Sequence, residues 1–192
     1  MNKLLKPAVF AASLMPFAWL LYGAFAGGLG PDPAKTVILQ TGEWALRFLL
    51  LTLAVSPLRR ISGWYWPMRL RRMLGLFAFF YACVHLASFC QFYTGWDAGR
   101  LLEELAERPY ITVGALAWVL LLPLAITSTH AMQRRLGRNW RRLHRLVYPA
   151  LLLACVHLAW QVRSDYGEAL VYGVFAALLL GYRWFAGRRS RQ

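Results

Sequence analysis

The chain has 192 residues, of which 59% are hydrophobic and 16% charged, and its mean hydropathy is +0.42. These values lie outside the range of an ordinary soluble domain, so we predict an integral membrane protein. The net charge of +14 comes from 22 basic residues against 8 acidic ones. Because the basic residues flank apolar runs, they indicate an anionic membrane surface and argue against nucleic-acid binding.

Six apolar runs are long enough to cross a bilayer, which needs roughly 20 apolar helical residues per crossing. They lack the strict polar alternation of a membrane β-barrel, and we predict an all-α bundle of about six transmembrane helices forming a single domain over residues 1–192. The predicted spans are 8–28, 42–57, 73–92, 110–128, 146–163 and 168–185.

The first span resembles a signal peptide, with Lys3 and Lys6 before an apolar run and small residues after it. Its apolar run is too long for a signal core of about 7–15 residues, so we expect an uncleaved helix. Most of the basic residues then fall on one side, which the positive-inside rule assigns to the cytoplasm together with both termini. The acidic outer segment Asp97–Glu107 is either a partner-docking loop or a solvated turn.

An internal repeat links the third and fifth spans, because residues 78–87 (AFFYACVHLA) and 150–159 (ALLLACVHLA) share a pattern at an offset of 72 residues. Both spans run in the same direction, so His85 and His157 lie at nearly equal depth and can face each other. Alanines at i−3 and i−7 share the face of each histidine and leave a shallow groove there. An axial imidazole above small neighbours suits a flat macrocycle, so we predict that His85 and His157 are axial ligands of haem iron.

The alternative is that these histidines only form hydrogen bonds between packed helices, or that they line the polar path of a haem-free small-molecule transporter. Their matched depth and matched sequence context favour haem. Zinc would need further ligands, and no acidic residue lies nearby.

His144 precedes His157 by 13 residues, about 20 Å deeper toward the cytoplasm on a continuous helix, which suits a second haem. Its equivalent in the repeat is Arg72, so the matching histidine is missing, and Arg72 is instead predicted to bind a haem propionate. An ideal helix also places His144 about 140° away from His157, although a kink at Pro149 would re-phase it. The alternative for His144 is an interfacial histidine beside the arginine cluster.

The remaining residues that the sequence singles out are predicted to have structural roles. His130 is interpreted as a surface histidine, and the three cysteines within spans as packing residues. Pro123 is predicted to kink its helix, like Pro149. Seven tryptophans near span ends are predicted interfacial anchors: Trp44, Trp64, Trp66, Trp96, Trp140, Trp160 and Trp184.

Four long segments carry a resemblance to a known family: GEWALRFLLLTLAVSPLRR, LRRMLGLFAFFYACVHLASF, RPYITVG and TSTHAMQRRLGRNWRRLHRLVY, the last continuing to His157. They resemble the haem-binding membrane subunit of the bacterial MsrPQ methionine sulfoxide reductase system, within the ferric-reductase-like transmembrane superfamily. The resemblance covers nearly the whole chain. It implies b-type haem held by His85, His144 and His157, one or two haems in number, and a flavin mononucleotide (FMN) cofactor.

The resemblance also implies location and partners. It places the chain in the bacterial inner membrane and pairs it with a periplasmic molybdopterin-containing reductase, which itself reduces methionine sulfoxide in oxidised envelope proteins. Electrons would come from a cytoplasmic flavin reductase or from quinol. A stand-alone quinol-oxidising cytochrome or a metalloreductase is the alternative function.

For the flavin phosphate, no glycine-rich loop is present. The arginines of the inner face are the candidates by location, although lipid headgroups use the same residues. They are Arg134, Arg135, Arg138, Arg141 and Arg142.

Overall fold

The computed structural model describes residues 4–162 and 165–189, so Lys3, Arg163 and Arg191 lie outside the described residues. The described part of the chain is built from helices and contains no strand. Six of its helical segments are long and apolar enough to cross a membrane. The prediction of an all-α membrane protein with six spans is therefore confirmed.

Within the described residues, nine α-helices follow one another, with short turns of other helical types between them. Turns of 3-10 helix cover Trp66–Arg69 and His144–Leu146, and a π-helical turn covers Cys90–Thr94. The α-helices are α1 (Leu5–Ala26), α2 (Pro33–Ser62), α3 (Arg71–Phe89), α4 (Ala98–Glu107), α5 (Pro109–Ile126), α6 (His130–Leu136), α7 (Arg138–Leu143), α8 (Val147–Gln161) and α9 (Gly167–Arg189).

The central helix α2 is longer than its predicted span because its ends carry clear start and stop signals. Asp32 accepts a hydrogen bond from the backbone N–H of Lys35 at 3.0 Å, and Pro33 takes the first helical position, where no N–H is needed. At the other end Gly63 adopts a left-handed conformation with φ 72°. Between these caps run 30 helical residues, about 45 Å, which exceeds the thickness of the hydrocarbon core.

Aromatic side chains of α2 and α3 form the centre of the core. Phe48 stacks on Tyr81 and Phe77 with ring centroids 5.4 and 5.6 Å apart. The Tyr81 hydroxyl donates to the Ser13 carbonyl at 2.8 Å and accepts from the Phe17 N–H at 3.1 Å. These backbone groups flank Pro16, which interrupts the hydrogen-bond ladder of α1, so Tyr81 both satisfies that helix and ties it to the core.

Successive spanning helices alternate in direction, so residues 59–72, 134–145 and 183–189 lie at one end of the bundle, called the basic end below. Contacts between distant segments join this end. Arg183 donates to the Leu53 carbonyl at 2.7 Å, and Arg71 donates to the Ser56 hydroxyl at 3.3 Å.

Two structural expectations need correction. The acidic outer segment is neither a loop nor a turn, because Asp97 caps an amphipathic helix α4 by accepting from the Arg100 N–H at 2.7 Å. Pro149 does not kink a helix, because it lies in the first turn of α8, where backbone N–H groups have no partner within the helix. Pro123 does lie inside its helix, α5.

The predicted anchoring tryptophans divide into two groups. Trp64, Trp66, Trp96, Trp160 and Trp184 are exposed, as interfacial side chains are. Trp44 and Trp140 are half-buried and contact other side chains, so their predicted role as simple anchors is incomplete. The three cysteines are free thiols.

Candidate functional site

Two imidazole rings face each other between α3 and α8. The ring centroids of His85 and His157 are 6.1 Å apart, and the ring planes are inclined by 76°. The repeat therefore places its two histidines at one depth because α3 and α8 run in the same direction. Ligation of haem iron by these residues stays a prediction.

Each imidazole is oriented by a backbone carbonyl of the helix that precedes it in the repeat. His85 Nδ1 lies 2.8 Å from the Ile38 carbonyl oxygen, and His157 Nδ1 lies 2.6 Å from that of Tyr110. Because a carbonyl can only accept, Nδ1 carries the proton in both rings, and Nε2 keeps its lone pair. Histidines that ligate metals are commonly oriented in this way by their other nitrogen.

Glycine in the same preceding helices makes room for each ring. A Cβ added at Gly42 would lie 3.0 Å from His85 Nδ1, and one added at Gly114 would lie 2.8 Å from His157 Nδ1. Both distances are shorter than carbon contacts of about 3.5 Å. Any side chain larger than hydrogen at these positions would therefore displace the imidazole.

The carbonyls and glycines extend the repeat beyond the histidine motif. Each carbonyl precedes its histidine by 47 residues, and the two glycines share the histidines' 72-residue offset. The repeating unit is thus a pair of helices, α2 with α3 and α5 with α8. Each pair presents one imidazole with the same tautomer to the space between α3 and α8.

The spacing of the two rings fits axial ligation of one iron. Two metal–imidazole bonds of about 2 Å each, plus the distance from each nitrogen to its ring centre, sum to roughly 6 Å. Within residues 4–162 and 165–189, no three His, Cys, Asp or Glu side chains cluster closely enough to hold a bare metal ion. Two facing imidazoles suit a metal whose remaining ligands come from a macrocycle.

His144 is placed differently from the two paired histidines. It lies in the 3-10 turn before α8, where its ring stacks on Trp140 at 3.9 Å and its Nδ1 lies 3.2 Å from the Trp140 carbonyl oxygen. Its Nε2 is buried and has no hydrogen-bond partner. The 3-10 turn replaces the continuous helix assumed from the sequence, so the angle of about 140° between His144 and His157 does not apply.

The remaining predicted residues lie on the surface of the basic end. Arg72 is exposed in the first turn of α3, and His130 is exposed at the start of α6. The arginines predicted for a flavin phosphate are also exposed, on the short helices α6 and α7. They are Arg134, Arg135, Arg138, Arg141 and Arg142.

Several residues that build the site were missed from the sequence. Gly42 and Gly114 could have been found by applying the repeat offset to the helices before the histidines. The carbonyls of Ile38 and Tyr110 could not be found from the sequence, because every residue has a backbone carbonyl. The stacking of Trp140 on His144 could not be found either, because it depends on the 3-10 turn.

Comparison with known proteins agrees with this architecture. The family model described as "Ferric reductase like transmembrane component" matches residues 41–155, which cover most of both helix pairs and include His85, whereas Ile38 lies before the matched range and His157 after it. Six membrane-spanning helices and this match define the class, a ferric-reductase-like transmembrane protein. No solved structure matches the chain.

Two similar proteins identify a particular family within this class. A Xanthomonas euvesicatoria protein is 50% identical over 184 residues, covering 93% of this chain and 84% of the relative. A Herminiimonas arsenicoxydans protein is 45% identical over 193 residues, covering 98% and 88%. Both are named "Protein-methionine-sulfoxide reductase heme-binding subunit MsrQ". The chain belongs to this family of haem-binding MsrQ subunits.

Proposed function

We propose that this chain carries b-type haem in the bacterial inner membrane and passes electrons to a periplasmic molybdopterin-containing methionine sulfoxide reductase. The facing pair of His85 and His157, with rings 6.1 Å apart, carries the proposal. The names of the relatives support the haem and the link to methionine sulfoxide reduction. Sulfoxide reduction itself resides in the partner, and this chain is an electron-transfer subunit.

In this proposal His85 and His157 would hold the haem iron through Nε2, and the Ile38 and Tyr110 carbonyls orient the two rings for this role. When bound, haem iron would supply one-electron redox chemistry at this depth of the membrane. Gly42 and Gly114 leave room for the two rings in this arrangement.

A second haem at His144 is also proposed, because a buried Nε2 without a partner is available for ligation. The Trp140 ring and carbonyl orient this imidazole as the carbonyls orient the other two. Arg72 remains the predicted partner of a propionate. Two sites at different depths would divide the membrane crossing into shorter electron-transfer steps.

The basic end faces the cytoplasm in this proposal, as the positive-inside rule requires. Electrons enter from a cytoplasmic flavin reductase, with FMN as cofactor, or from quinol. Each sulfoxide reduced by the partner consumes two electrons and two protons and yields methionine and water. The exposed acidic residues of α4 at the opposite end are available for contact with that partner.

The proposal is tested by co-reconstituting the purified chain and the reductase in phospholipid vesicles, with quinol or with NADH and a flavin reductase as donor. Methionine sulfoxide reduction is followed for wild type, His157→Ala and, as a control, His130→Ala, whose exposed ring lies outside the site. We expect His157→Ala to lose the activity and His130→Ala to keep it. Wild-type rates in His157→Ala would overturn the proposal, and reduction of ferric chelates at the same rate without the partner would identify a metalloreductase.

A further inference from the structure

Tyr110 lies between the paired histidines and the outer end of the bundle, the end opposite the basic end. Its carbonyl oxygen lies 2.6 Å from His157 Nδ1, and its ring is inclined by 27° to the His157 imidazole, with ring centroids 6.1 Å apart. Tyr110 is the second residue of α5 and is half-buried. One side chain therefore leads from a predicted ligand ring toward the outer surface.

The repeat gives His85 no such neighbour. The equivalent of Tyr110 at the 72-residue offset is Ile38, whose side chain is aliphatic and buried. Ile38 is the sixth residue of α2, whereas Tyr110 is the second residue of α5, so the carbonyl partner of His157 lies nearer to a helix end. This asymmetry places the more exposed approach to the paired histidines on the His157 side.

Arg108 and α4 contact this end of α5. The Arg108 guanidinium interacts with the Tyr110 hydroxyl and forms an ion pair with Glu104 of α4 at 3.1 Å. The Leu105 carbonyl of α4 accepts a hydrogen bond from the Thr112 hydroxyl of α5. Arg108, Tyr110 and Thr112 all belong to the RPYITVG segment. This segment therefore fixes α4 beside Tyr110.

The outward surface of α4 is acidic and exposed. The helix contains three glutamates and one arginine, and none of its residues is buried. Glu103 and Glu107 are exposed and four residues apart, so they share one face. Negative charge thus lies beside Tyr110 on a chain whose net charge is +14. A protein surface with basic residues complements this charge, whereas an anionic lipid headgroup is repelled by it.

We propose that Tyr110, Arg108 and the Glu103–Glu107 face of α4 form an exit surface, on which a soluble redox partner docks through basic residues and receives electrons. The partner is the reductase of the proposed function, so this inference rests on that function and adds the surface. In each transfer one electron leaves ferrous haem iron, which becomes ferric, and reduces the partner's acceptor, with no bond made or broken. Tyr110 is a positioning residue, because its ring fills the space between His157 and the docked partner and its hydroxyl holds Arg108.

The test follows reoxidation of the reduced haem by stopped-flow absorption after the purified chain is mixed with the purified, oxidised reductase. Glu103→Gln with Glu107→Gln removes two carboxylates from the exit surface. Asp165→Asn with Glu168→Gln is the matched control, because it removes two exposed carboxylates from the same end of the bundle but outside α4. In a second measurement benzoquinone, a small neutral oxidant, replaces the reductase.

At low ionic strength we expect the α4 double variant to react with the reductase at least about tenfold more slowly than wild type, and the control to stay within about twofold. The difference should shrink at high salt, because exposed charges are screened. Benzoquinone should reoxidise all three proteins at the same rate. Equal rates of the two double variants with the reductase would overturn the proposal, and so would an equal slowing of the α4 variant with benzoquinone.

Further measurements separate the alternatives. Tyr110→Leu should slow the reaction with the reductase more than Tyr110→Phe does, because only phenylalanine retains the ring, and equal rates would contradict the positioning role. Light scattering records the oligomeric state, and a change in the α4 variant would assign the surface to a second copy of the chain and overturn the proposal. If the reductase does not reoxidise wild-type haem at all, the proposed function fails and this inference with it. If only the α4 variant behaves like its control, the proposed function stands and the exit surface alone is wrong.

Discussion

Replacing Gly114 by alanine tests how closely the helix before His157 controls the ligand ring. The new Cβ would lie 2.8 Å from Nδ1, 2.9 Å from Cε1 and 3.1 Å from Cγ of His157. A normal contact is about 3.5 Å, so the ring must move by roughly 0.7 Å or the helices must separate. Metal–ligand distances tolerate only about 0.2 Å, and the 2.6 Å bond to Tyr110 would be strained as well.

The expected cost is about 1–3 kcal/mol from overpacking, and loss of ligand orientation typically lowers metal affinity about ten- to hundredfold. We therefore expect Gly114→Ala to lower the haem-to-protein ratio and shift the midpoint potential. Gly42→Ala should do the same to a smaller extent, because its Cβ would lie 3.0 Å from His85 Nδ1.

The assay is haem stoichiometry and redox titration of purified protein. Gly173→Ala is the matched control, since nothing lies within 4 Å of a Cβ there. Alanine also favours helix by up to about 1 kcal/mol, so reduced haem content cannot be attributed to a weaker helix. Unchanged haem content and potential in Gly114→Ala would refute the reasoning.

Three further predictions concern the core and the ligand environment. Tyr81→Phe should lower the free energy of unfolding by about 1–3 kcal/mol, because two backbone groups of α1 lose their hydrogen-bond partner. Thermal denaturation of the detergent-purified protein measures this change, and an unchanged midpoint temperature would contradict the prediction. Trp140→Leu should alter the absorption spectrum and midpoint potential of a haem at His144 and leave the haem signal of the His85–His157 pair unchanged. Changes confined to the signal of the His85–His157 pair would contradict the separation of the two sites. The oxidised wild type should give a strongly anisotropic low-spin electron paramagnetic resonance signal, because axial ring planes inclined by 76° set the iron d-orbital splitting; a signal typical of parallel rings would contradict the geometry.

The number of spanning helices could be predicted from sequence because crossing a bilayer imposes length and apolarity on every span. The sequence also predicts that His85 and His157 face each other, because two repeated helices that run in the same direction place equivalent residues at the same depth. The residues at which helices begin and end are harder to predict from the sequence. The extension of α2 depends on the Asp32 cap and on Gly63, and α4 depends on the Asp97 cap.

The parts of the site that escaped prediction depend on contacts between distant segments. The Leu53 carbonyl becomes available because of Pro57, but only the fold shows that Arg183 of α9 reaches it. The sequence likewise cannot distinguish Arg71, which is half-buried and donates to the Ser56 hydroxyl, from its exposed neighbour Arg72. One residue of helical rotation, about 100°, separates the two roles.

The most direct test of the account is the reduced-minus-oxidised absorption spectrum, with haem stoichiometry, of purified wild type, His85→Ala, His157→Ala and His130→Ala expressed with adequate haem supply. We predict a low-spin b-type spectrum in wild type and His130→Ala, and loss of the signal of the paired site when either His85 or His157 is replaced. A wild type without haem, or an unaltered spectrum and stoichiometry in both His85→Ala and His157→Ala, would contradict the central claim.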